Sequence, residues 1–128
     1  NEEIRAVQAS IRVLDPLVAL KTTLATIRKW DYLIVMAHMP MDDATRLARA
    51  FPGIDLIVAG HDVGAPCNAP KVVGRTWLVS PGTRGRYLGR IDIVFDAQGN
   101  VVARRFQMIE ISEDLSHSPS IMALLDEY

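Results

Sequence analysis

One cysteine in 128 residues leaves Cys67 with no intrachain disulfide partner and rules out the Cys-x-x-Cys spacings of zinc sites and covalent haem. No apolar run approaches the about 20 residues that a bilayer span requires. Neither sign of charge dominates: 14 Lys and Arg stand against 15 Asp and Glu, a net charge of -1. The basic residues are scattered rather than massed, which disfavours both nucleic acid and an anionic membrane surface as partner. There is no internal repeat and no low-complexity tract. The chain opens on Asn1 with neither an initiating methionine nor a basic-then-apolar leader, and it is expected to have been cut from something longer. A processed leader would leave the same start, so this absence does not argue for the cytoplasm.

What is present is apolar residue, 49% of the chain, enough for one globular domain, or part of one, with a real core. A β-branched stretch at 10–14 ends at Asp15-Pro16, where Asp caps and Pro fills the first turn of a helix. That helix is expected over 16–29, with Leu17, Leu20, Leu24 and Ile27 forming one buried stripe. The apolar run 32–37 has strand length and the pattern of a strand covered on both faces, and it stops at His38. Asp42 and Asp43 open a second helix carrying Ala44, Leu47, Ala48 and Phe51 on one face and closed by Pro52-Gly53. A second apolar strand, 54–59, breaks at Gly60 and delivers His61. Strand, helix, strand with short connections is a βαβ unit with parallel strands.

Residues 62–75 read as a loop, 76–80 as a strand and 81–85 as a turn. The alternating segments 88–95 and 101–111, joined by Asp96-Ala97-Gln98-Gly99-Asn100, read as an antiparallel pair. The tail 118–128 reads as a short helix.

Ligands of open α/β sheets gather outside the carboxyl ends of the parallel strands, which is where His38 and His61 fall. From neighbouring strands the two imidazoles start about 5 Å apart, close enough to share one metal ion. A lone histidine at a strand end is more often a hydrogen-bonding loop residue. Two of them, after near-identical apolar strands and with Gly60 clearing space beside the second, point to a metal. Two imidazoles leave a divalent ion short of ligands, so further donors must come from elsewhere. Asp62 is either a substitute ligand or a loop residue bonded to its own backbone. Arg84, Arg86 and Arg90 either meet a phosphate near Gly82 and Gly85 or lie on a solvated edge. His117 reads as exposed, Trp30 and Trp77 as packing residues, and Cys67 as a reactive thiol or an inert one.

The segments Asp31-Tyr32-Leu33-Ile34-Val35-Met36-Ala37-His38 and Gly53-Ile54-Asp55-Leu56-Ile57-Val58-Ala59-Gly60-His61 resemble the last two signature blocks of calcineurin-like metallophosphoesterases. Downstream, Val79-Ser80-Pro81-Gly82-Thr83-Arg84-Gly85-Arg86-Tyr87-Leu88-Gly89-Arg90-Ile91 is similar to the 5'-nucleotidase branch, as are Asp15-Pro16 and the closing Met122-Ala123-Leu124-Leu125-Asp126-Glu127-Tyr128. The resemblance implies an α/β fold: residues 1–128 would be the C-terminal half of a four-layer α/β-β/α sandwich, one mixed sheet with flanking helices.

It further implies a phosphate-ester substrate and a divalent metal pair of the Zn, Mn or Fe type. That pair polarises the ester while water attacks phosphorus in line, with His38 and His61 on the second metal. The motif's next ligand position holds Val63, which cannot coordinate, and the earlier carboxylate and Asn blocks do not occur. The expected partner is therefore the upstream half of the same domain, and the isolated chain is expected to be inactive. It should expose apolar sheet surface and form a homodimer through it. Family habit places such proteins in the periplasm or outside the cell. Two other readings stay open: a catalytically degenerate scaffolding module, favoured by Val63, and a doubly wound domain binding some other ligand.

Overall fold

The computed structural model describes residues 12–61 and 67–127. The chain divides into two compact units, Asn1–Asp31 and Tyr32–Tyr128. In the first, α1 is the helix Pro16–Thr26, with Asp15 at its N-cap and Pro at its start. Asp15 Oδ1 accepts from Leu17 N at 2.9 Å and Val18 N at 3.0 Å, a cap contributing about 1 kcal/mol. The helix ends three residues before the expected boundary, at Ile27, whose backbone is extended. Thr22, Thr23 and Thr26 weaken that last turn, since β-branched side chains lose rotamer freedom in a helix. No residue of α1 is buried, and Leu17 and Val18 are exposed. The expected buried stripe is thus corrected: among the described residues of its unit no second element packs against this helix. Trp30, expected to pack, is exposed too. Of the stretch 10–14, the described residues 12–14 form no strand, and the rest lies outside the described residues.

The second unit is built on a four-stranded sheet in the order β1-β2-β4-β3, with β1 Ile34–Ala37, β2 Leu56–Ala59, β3 Lys71–Val73 and β4 Thr76–Val79. β1, β2 and β4 are parallel and β3 pairs antiparallel with β4, so the sheet is mixed, as the α/β reading expects. Helix α2, Met41–Ala50, makes the crossover between β1 and β2. Asp42 and Asp43 complement the positive end of its dipole. Its Ala44, Leu47 and Ala48 are buried against the sheet. Alanine at two of these three positions lets the helix approach the fully buried Ile57 and Leu78 closely. Each such aliphatic side chain contributes about 1.5–3 kcal/mol.

β3 falls inside the segment expected to be loop. It has three residues between Pro70 and Gly74, and only pairing with β4 makes it a strand. β5 Tyr87–Phe95 and β6 Val101–Glu110 form a separate antiparallel ribbon. Its turn is closed by Asp96, whose Oδ1 accepts from Gln98 N at 2.9 Å and Asn100 N at 2.8 Å. Chiefly the Asn100 side-chain amide, then the turn's backbone N–H groups, hold the Asp96 carboxyl below its ordinary value. A depressed acid supports the fold above its unfolded pKa and stops doing so as pH falls through the folded one. The turn is therefore expected to loosen below about pH 4, read as chemical-shift changes of the Gln98 and Asn100 amides. Asp96→Asn should remove that pH response. Helix α3, Pro119–Asp126, follows a polar linker and leaves Ile121, Met122, Leu124 and Leu125 exposed.

β1 departs from expectation. Its apolar run was expected to be covered on both faces, yet Ile34 is 51% and Met36 86% exposed. Ile34, Leu56, Trp77 and Val72 share a face by register. The ribbon covers that face over β2 and β4 but not over β1, which is also an edge strand.

Candidate metal centre

Ala37 pairs with Ala59 at the ends of β1 and β2, so the chain leaves both strands side by side at the carboxyl edge of the sheet. Gly60 N donates to Ala37 O at 2.9 Å, carrying the alignment one step further. The result brings His38 Nε2 to 2.9 Å from His61 Nδ1, with ring centroids 4.6 Å apart and planes at 70°. Both residues are exposed. One ring must offer N–H and the other a lone pair, so the contact assigns the two rings opposite roles. A Cβ at Gly60 would lie 3.9 Å from His38 Nδ1 and Ala37 O. That is ordinary contact, so crowding does not demand glycine there.

Imidazole nitrogens bind zinc-type ions at about 2.0–2.1 Å, and two nitrogens 2.9 Å apart can both reach one ion once both present lone pairs. The chemistry of the pair therefore fits a divalent metal. Among the described residues no group of three or more His, Cys, Asp and Glu converges to hold an ion, so this is a partial donor set. Asp62 and Val63 lie outside the described residues.

The other sequence candidates scatter. Arg90 Nε bonds Asp92 Oδ1 at 3.0 Å on the ribbon. His117 is exposed in the linker before α3. Cys67 is half-buried and tied to the end of β4: its Sγ donates to Ser80 O and accepts from Ser80 N, each at 3.2 Å. Arg84 and Arg86 lie on the turn after β4, at the same edge of the sheet as the histidines.

At the opposite, amino edge is a polar cluster that the sequence reading missed. Asp55, 1% exposed, accepts from Leu33 N at 2.9 Å through Oδ2. Its Oδ1 receives Arg75 and faces Arg104 at 3.6 Å. Arg104 donates to Arg75 O at 2.9 Å and lies 5.4 Å from the Tyr32 ring centroid and 5.6 Å from that of Trp77. Burial pushes the Tyr32 phenol above its ordinary value; Arg104 opposes, Asp55 adds and Arg75 opposes. The one available signal was a lone carboxylate, Asp55, inside an apolar run. This cluster clamps ribbon to sheet.

No family model matches the chain. A snake venom 5'-nucleotidase of Crotalus adamanteus is 26% identical over 108 residues, covering 71% of this chain and 18% of its own. The trifunctional nucleotide phosphoesterase protein YfkN of Bacillus subtilis is 28% identical over 105 residues, 78% of this chain and 7% of its own. Sulfate thiohydrolase SoxB of Thermus thermophilus has the same fold over 90% of this chain and 21% of its own, with a TM-score of 0.72 and 26% identity. Its relatives are 5'-nucleotidase-like metallophosphoesterases. The chain spans about a fifth of the venom nucleotidase and of SoxB, and less of YfkN. Among the described residues no helix is long and apolar enough to cross a membrane.

Proposed function

We propose that this chain is the part of a metal-dependent phosphoester hydrolase that supplies His38 and His61 to a divalent-metal centre, the remaining ligands coming from elsewhere in a longer polypeptide. The observation that carries the reading is the 2.9 Å approach of His38 Nε2 to His61 Nδ1 at the tips of adjacent parallel strands. The kinship with nucleotide phosphoesterases supports it. A bound ion of the Zn, Mn or Fe type would polarise a phosphoryl oxygen and acidify water. This chain's share is to hold two lone pairs at a fixed separation, on rings anchored by strand ends rather than by mobile loops. Residues 1–128 are then the C-terminal half of the metal-binding domain, and the isolated chain has no turnover. The venom origin of three relatives supports export from the cell.

The second reading, a degenerate domain serving as a binding scaffold, is favoured by Val63 at a ligand position of the resembled motif. Full-length protein incubated with manganese or zinc and 4-nitrophenyl phosphate separates the two. Metal-dependent release of nitrophenol is expected, and its absence at every metal tested puts the scaffold ahead.

The uncovered apolar face of β1 belongs to the same reading, as the surface against which the rest of the domain packs. In the isolated chain that face is expected to meet a second copy. Sedimentation should then give a dimer that Met36→Glu converts to monomer, and a monomeric parent chain would contradict this.

A further inference from the structure

The turn after β4 stands out by its backbone. Gly82, Arg84 and Gly85 have φ of 78°, 63° and 65°. Glycine adopts these values freely, whereas arginine is strained by them, and Arg84 is the only described non-glycine residue with positive φ. Asn, Asp or Gly would occupy that position at lower cost. A cationic side chain kept in a strained conformation points to use rather than to folding.

Its place in the fold says what use. β4 runs parallel to β2, with Val58 opposite Val79. The pairing ends there, so the turn from Gly82 to Gly85 leaves the sheet at the same carboxyl edge as His61, which follows the end of β2. The turn therefore opens at the edge where the two imidazoles meet. Arg84 is exposed, and among the described residues no carboxylate pairs with it. Arg46, Arg75, Arg90 and Arg104 have acidic partners, but among the described residues Arg12, Arg28, Arg49, Arg86 and Arg105 have none either, so it is the left-handed backbone at this edge that singles out Arg84. The N–H groups of Thr83, Arg84 and Gly85 also donate to no described acceptor. Left-handed residues at a turn leave such groups free to form an anion-binding concavity.

We propose that Arg84 is the oxyanion-binding side chain of this site, gripping the phosphoryl group of an ester presented to the histidine edge, a role that rests on the phosphoester reading above. A planar guanidinium binds tetrahedral oxyanions through two parallel N–H donors, which a lysine ammonium cannot reproduce.

The test uses full-length protein with 4-nitrophenyl phosphate as substrate and inorganic phosphate as competing product. Arg84→Ala is expected to raise KM and the inhibition constant of phosphate by about tenfold or more. Bound metal, measured by elemental analysis, should be unchanged. Arg84→Lys should recover only part of the loss. Arg84→Gly should weaken phosphate equally while leaving thermal stability the same or higher, because it relieves the left-handed strain. A merely structural arginine would lower stability and leave the phosphate constant alone. Values within about twofold of wild type for both Arg84→Ala and Arg84→Gly overturn the proposal while leaving the hydrolase reading intact. If wild type itself shows no metal-dependent turnover, the hydrolase reading fails and calorimetry with inorganic phosphate decides the anion site. Binding by wild type that Arg84→Ala abolishes upholds it, and equal or absent binding overturns it.

Discussion

Replacing His38 by alanine is expected to lower metal-dependent phosphoester turnover of the full-length protein by at least about 100-fold, since even outer-shell partners of metal ligands cost 10–100-fold when removed. His38 is exposed, beyond the tip of β1, so the substitution should leave the fold within about 0.5 kcal/mol of wild type. Loss of activity with an unchanged unfolding midpoint would therefore report on the centre. His61→Ala should match it, and the double variant should be little worse than either alone, because on the proposed reading the two rings would act on one ion and not independently. Metal content measured beside turnover completes the argument: both single variants should retain less metal than wild type. Turnover within a few-fold of wild type in His38→Ala would remove the histidine pair from the chemistry.

Asp55→Ala is expected to destabilise the chain by about 3–5 kcal/mol, the usual result of removing one partner from a buried ion pair. Asp55 satisfies the Leu33 amide and faces two guanidinium groups. Arg75 is 59% exposed at its side chain and can turn to water, but Arg104 is only 14% exposed, beside Tyr32 and Trp77. Without the carboxylate, its charge has no described counter-ion. Asp55→Asn keeps an acceptor for Leu33 N and should fall between alanine and wild type. Asp92→Ala, which breaks an exposed pair with Arg90, should cost no more than about 1 kcal/mol. For a small domain, typically stable by about 5–15 kcal/mol, the larger figure separates the two clearly in urea unfolding. Equal midpoints for Asp55→Ala and Asp92→Ala would show that the clamp does not hold ribbon to sheet.

Much of this architecture is legible from local pattern. The apolar runs ending at His38 and at Gly60-His61, the amphipathic spacing of Ala44, Leu47 and Ala48, and the Asp15-Pro16 cap each rest on a few consecutive residues. The illegible parts depend on distant partners. Lys71-Val72-Val73, between proline and glycine, has no strand signal of its own and becomes β3 only because β4 is beside it. Arg75 and Arg104 lie 20 and 49 residues from Asp55, beyond any periodicity. The run at β1 states that a strand can be buried on both faces. It does not say what will cover it, and Ile34 and Met36 remain exposed among the described residues.

The sequence by itself determined the parallel βαβ unit, the β5–β6 pair and the position of both histidines at strand ends, because caps, turn residues and hydrophobic period act within a few residues of themselves. Tertiary structure alone decided the direction in which the imidazoles face, the 2.9 Å between them, the clamp at Asp55 and the left-handed arginine in the turn at the same sheet edge. Each of these depends on strand register and on the packing of segments remote in the chain.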